Sequence, residues 1–112
     1  MPKVNIDFTK GLVQSPGGGF AVNSLTEVSA TGNLDATTFL TKAVAAFTNN
    51  DELTLPASAD TGTVKIIISD SANNVILKGT NAQTGDVTLT NIGDMAICVF
   101  DGTEWQVGRS LT

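Results

Sequence analysis

A chain of 112 residues holds one domain, or one domain with an arm, and buries roughly two-thirds of the surface its unfolded form exposes. The net charge of −5, with six basic residues spread singly from Lys3 to Arg109, argues against nucleic-acid binding, which needs clustered Lys and Arg. Histidine is absent, Cys98 is the one cysteine and no apolar run approaches the roughly 18 residues of a membrane helix, which excludes His-dependent nucleophiles, an intrachain disulfide framework and a transmembrane helix.

Apolar residues make up 41%, enough for a core, while the 15% that are charged fall well short of the roughly 25% usual in soluble domains. Thr, Ser and Asn supply the polarity, Thr alone 16 times, and because Thr favours strands the composition suits a rigid β scaffold. The opening "MPKVNIDFTK" lacks the apolar stretch of a signal peptide, so the chain reads as a soluble product made in the cytoplasm.

Residues 1–23 differ from the rest. Val4, Ile6 and Phe8 alternate with Asn5, Asp7 and Thr9, the pattern of one short strand. "QSPGGGF", Gln14 to Phe20, then breaks regular structure. It lacks the GK[ST] ending and the strand-to-helix setting of a phosphate loop, and reads as a hinge. The expected organisation is an arm with its hinge, 1–23, followed by a β module, 24–112.

In the module, "SLTEVSAT" ends at Gly32-Asn33. Residues 36–48 support two readings. Phe39, Ala43 and Phe47, with Leu40 and Val44, form a helical stripe that Asp35 would cap. Thr37 to Thr41 also reads as a strand, with "AVAAFTNN" as a connection, although periodicity alone slightly favours the helix. Beyond it "LTL", Leu53 to Leu55, stops at Pro56, which cannot donate to a central ladder. "TVKIIIS" puts Val64, Ile66 and Ile68 on one face and Lys65 and Ile67 on the other. Asp70 to Asn74 is a turn, followed by the strand Val75 to Lys78; in "DVTLT" Val87 and Leu89 alternate with threonines, and Ile92-Gly93-Asp94 turns the chain into "MAICVF". Short strands with turn signals at roughly 8–12-residue spacing predict an all-β fold, a small antiparallel sandwich or barrel-like module.

The last hairpin is the most informative stretch. Met95, Ile97 and Val99 share one face of its first strand; Ala96, Cys98 and Phe100 share the other. Both faces are apolar, as in a strand covered on two sides. After the Asp101-Gly102 turn, Trp105 and Val107 share a face. A domain this small has difficulty covering both sides of a strand, so one face is expected to meet its own core and the other a second copy of the chain.

Little here suggests chemistry. Cys98 lies mid-strand between apolar neighbours, the setting of a buried, inert thiol. Asp51-Glu52 and Asp101 with Glu104 fall in expected turns, where Asp serves backbone hydrogen bonding rather than acid–base work. "DSANN", Asp70 to Asn74, offers oxygens to a cation but lacks the EF-hand pattern. Sugar binding usually wants exposed aromatics, and most of the six here look buried. No catalytic residue, metal or cofactor is expected.

From about Thr37 to Gly108 the chain resembles a β module of tailed-bacteriophage structural proteins: fibres, spikes and capsid decoration proteins. The resemblance is carried by Thr37-Thr38-Phe39-Leu40-Thr41, Leu53-Thr54-Leu55-Pro56, Gly62 with Val64 to Ile68, Asn91-Ile92-Gly93-Asp94, and Asp101 to Trp105 before Val107-Gly108. It implies a β-rich homotrimer, tips Thr37 to Thr41 toward strand, and gives Trp105 the role of anchoring the terminal hairpin. Residues 1–23 have no counterpart in it. With Met1 at the front and an end soon after the hairpin, a stand-alone module with a short arm fits a trimeric decoration (cement) protein on the capsid surface of a virion. Its expected partners are itself and the major capsid protein, with neither nucleic acid nor membrane. Val4, Ile6, Phe8 and Phe20 would form the capsid-contact arm, and Met95, Ile97, Val99, Phe100, Trp105 and Val107 the trimer interface or core hairpin. Alternatives are a tail- or head-fibre or spike component and a carbohydrate-binding β domain.

Overall fold

In a computed structural model the described residues are 4–7, 11–14, 24–44 and 49–110. Among them the alternating apolar runs form strands, and no helix occurs. The first two strands, β1 (Val4–Asp7) and β2 (Gly11–Gln14), pair antiparallel as a two-stranded sheet with Val4 opposite Gln14. The body holds β3 (Leu25–Val28), β4 (Gly32–Asn33), β5 (Leu40–Ala43), β6 (Asp51–Thr54), β7 (Val64–Ser69) and β8 (Val75–Lys78). After them come β9 (Val87–Leu89), β10 (Met95–Phe100) and β11 (Trp105–Ser110).

The expectation of an antiparallel fold is corrected: the sheets are mixed. One has the order β11-β10-β7-β5-β3 and the other β4-β6-β8-β9. From β3 to β8 the chain changes sheet at every connection. Strands two apart in sequence therefore become parallel neighbours: β3 with β5, β5 with β7, β4 with β6 and β6 with β8. A parallel pair needs a long crossover, usually a helix. Here each crossover contains a strand of the other sheet, so no helix is required. Within the body, antiparallel pairing appears only late, in β8–β9, β7–β10 and the hairpin β10–β11.

The inward side chains of both sheets meet in one buried cluster. Leu53, Val75, Leu77, Val87 and Leu89 come from the four-stranded sheet; Ala43, Ile67, Ala96, Cys98, Phe100 and Trp105 come from the other, with Leu34 and Leu55 between. Side-chain oxygens of Asn and Asp organise the corners. Asn49 accepts from the Asn74 amide at 2.9 Å, and buried Asp94 accepts from the amides of Thr90 and Asn91, both at 2.9 Å.

Other local expectations are corrected too. Gly32-Asn33 is the short strand β4, and Asp51-Glu52 belongs to β6 rather than a turn. Asp35 does cap, taking the amides of Thr37 and Thr38 at 3.0 and 2.6 Å, but the turn it makes leads into a strand that begins at Leu40. The rest of the expected helix, 45–48 with Phe47, lies outside the described residues.

Candidate functional site

Trp105 is buried at the start of β11, and its ring meets Phe100 edge-on at 5.3 Å. Its indole N–H donates to the Pro56 carbonyl at 2.8 Å, so the one polar atom of the ring is satisfied against the connection between β6 and β7. The preceding turn fixes its position. Asp101 accepts from the amides of Thr103 and Glu104, both at 2.9 Å, and Gly102 adopts φ +103°. These bonds to backbone and to Gln106 hold the Asp101 carboxyl below the usual carboxylate range. Further on, the Asn81 amide bonds the Trp105 carbonyl and Arg109 donates to the Thr88 carbonyl at 2.7 Å, tying β11 to the other sheet's side of the molecule.

The outer face of the five-stranded sheet is apolar. Its register places Leu25, Leu40, Ile66, Ile97 and Gly108 in one row across all five strands. A second row runs Glu27, Lys42, Ile68, Met95 and Ser110, and Val64, Val99 and Gln106 flank the first on its other side. Several of these side chains keep large exposed fractions: Leu25 55%, Ile97 49%, Val64 37% and Val99 37%. Contiguous apolar surface of this kind marks an interaction site more often than isolated exposed residues do. At the β11 edge, where Gly108 has no side chain, a shallow apolar notch of about 270 Å³ opens among Met95, Ile97, Arg109 and Ser110.

In the last hairpin Phe100 and Trp105 are buried, Val107 packs against the core, and Met95, Ile97 and Val99 face outward. Sequence reasoning missed that Leu25, Leu40, Ile66 and Gly108 complete this face. The two-sided apolar pattern of "TVKIIIS" carried part of that signal. The inward side of the same run holds a surprise, for Lys65 is buried, its side chain only 1% exposed. Its ammonium donates to the Thr38 carbonyl and lies 3.9 Å from the Asp35 carboxylate. Burial pulls the Lys65 pKa down, and Asp35 opposes that shift. Cys98 stands opposite Lys65 on the neighbouring strand, its thiol pushed up to about 12 by burial.

Several other polar groups are engaged structurally. Glu52 pairs with Lys78 at 3.1 Å, and Asp70 with Lys42 at 3.5 Å. A cleft lined by Asn81, Gln83, Glu104 and Gln106 is built from amides bonded to one another, Asn81 to Gln106 at 2.8 Å. Among the described residues no three His, Cys, Asp or Glu side chains converge as metal ligands. Of the expected arm contacts, Val4 and Ile6 lie in β1, while Phe8 and Phe20 fall outside the described residues. No helix among the described residues is long and apolar enough to cross a membrane. Compared with models of known protein families and with curated proteins, the chain matches none.

Proposed function

We propose that the protein is a trimeric capsid decoration protein of a tailed bacteriophage, made in the host cytoplasm and bound to the outer surface of the head shell. The observation that carries this reading is the outward apolar face of the five-stranded sheet, with Leu25, Val64, Ile97 and Val99 between 37% and 55% exposed. Covering one such side chain contributes about 1 kcal/mol, part of the roughly 1.5–3 kcal/mol for full burial. A patch of several supports association with further copies, and obligate interfaces are of this apolar kind. In this reading the two sheets form a small sandwich, residues 24–112 make the trimeric body and 1–23 attach it to the major capsid protein.

The role is mechanical rather than chemical. A decoration protein bridges neighbouring shell subunits and needs rigidity, which the coiled two-sheet body and its engaged polar groups supply. The carboxylates of Glu52 and Asp70 are held in ion pairs, and Cys98 is buried with a raised pKa, which favours a structural over a catalytic reading. Sugar stacking on Trp105 is disfavoured by the burial of its ring.

Native mass spectrometry at low micromolar concentration, with imaging of labelled protein on virions, tests the reading. A trimer that decorates heads is the expected result. A monomer removes the assembly, and label confined to tails moves the protein to the fibre class.

A further inference from the structure

We infer that the trimer closes edge to edge around an axis parallel to the strands, with Leu25 of each copy filling the notch at Gly108 of the next; this rests on the trimeric reading above. Two observations lead to it. First, the outer row Leu25–Leu40–Ile66–Ile97–Gly108 starts with the most exposed aliphatic side chain of the row and ends in a missing one. A protruding leucine stands at the β3 edge and an apolar notch at the β11 edge, on one face and in one row.

Second, the strand directions agree. β5 and β7 run parallel to β3, β10 runs against β7, and β11 runs against β10. The two outer strands of the sheet, β3 and β11, therefore point the same way. A rotation about an axis parallel to the strands keeps all copies in one direction. Three sheets set as the walls of a prism then bring β3 of one copy beside β11 of the next in parallel. Contacts of this head-to-tail kind use two different patches and close as a ring. A twofold arrangement would stack the faces and close as a dimer.

Setting Leu25 into the notch continues the apolar rows toward the axis. Gly108 has open space where a Cβ would stand, so the notch accepts a neighbour's side chain without displacing this chain's own atoms.

The test is cross-linking in the full-length protein. Leu25→Cys together with Gly108→Cys, oxidised at low micromolar concentration, should give a covalent ladder that ends at the trimer, while neither single variant should cross-link beyond the wild type. Gly108→Phe, which fills the notch, should convert trimer to monomer with the same far-ultraviolet circular dichroism. A ladder ending at the dimer overturns the ring, as does a double variant that stays a native trimer without cross-linking. Cross-linking by Leu25→Cys alone to the same extent also overturns it. A wild-type monomer instead defeats the trimeric reading itself, so the two failures are distinguishable.

Discussion

Three side chains show how much one position can decide. Trp105 carries both a large buried surface and a hydrogen bond to Pro56, so Trp105→Ala should cost about 3–5 kcal/mol, read as a lowered thermal midpoint. Were the ring instead a sugar platform, the midpoint would hardly move. Cys98 should resist a thiol reagent in the folded protein and react fast in denaturant, since reagents need the thiolate and burial holds the pKa up to about 12. Lys65 gives a pH signature. Its folded pKa lies below 10.5, so between those two values the unfolded chain binds more protons and stability rises with pH. Cys98 acts in the opposite sense above 9.0, where the unfolded thiol ionises and the folded one does not. In Lys65→Met the rising component should vanish while the Cys98 component stays. Chemical denaturation of both proteins across the alkaline range measures the difference, and parallel pH profiles would show that Lys65 is not paying a desolvation cost.

At the level of strands and turns, legibility follows distance along the chain. The β10–β11 hairpin could be read because its signals are adjacent residues: alternation on both arms and Asp-Gly between them. Gly102 shows how local the signal is, for at φ +103° an added Cβ would also stand 2.9 Å from the Thr61 hydroxyl. Gly102→Ala should therefore destabilise by about 1–3 kcal/mol, measurable by urea unfolding, with the Trp105 environment loosened. The parallel order of β3, β5 and β7 could not be read in the same way. Regularly spaced short strands look alike whether each pairs with its successor or with the strand after that. Connections such as Ser69 to Val75 offer turn residues in both cases. The candidate face was half legible for this reason: Met95, Ile97 and Val99 announce themselves within one strand, whereas Leu25 joins them only through the register across two intervening strands. Lys65 escaped because nothing local distinguishes a buried lysine from an exposed one.

For the whole molecule, the proposed function raises the question of which part would hold the shell. On the proposed reading the sheet face of the body serves the copies' own contacts, and the N-terminal segment is the attachment element proposed for the shell. Val4 to Asp7 was expected as a lone strand; it is instead one half of the β1–β2 ribbon. A two-stranded ribbon is marginal by itself in water and gains most when a further strand or surface joins it. Each of its strands keeps one edge that the ribbon pairing does not use, and edge addition is an established way for a segment to bind a sheet. In the proposed trimer, three linked arms would raise the affinity of one by roughly 10²–10⁴ through effective concentration, so weak single contacts would suffice. Deleting residues 1–23 should leave a folded trimer with the wild-type thermal midpoint. It should no longer bind undecorated heads in a sedimentation assay, and heads mixed with it should rupture at the lower temperature of bare shells. Full occupancy by the truncated protein would place attachment in the β body, and loss of the trimer on truncation would make the ribbon part of the assembly contact rather than the grip on the capsid.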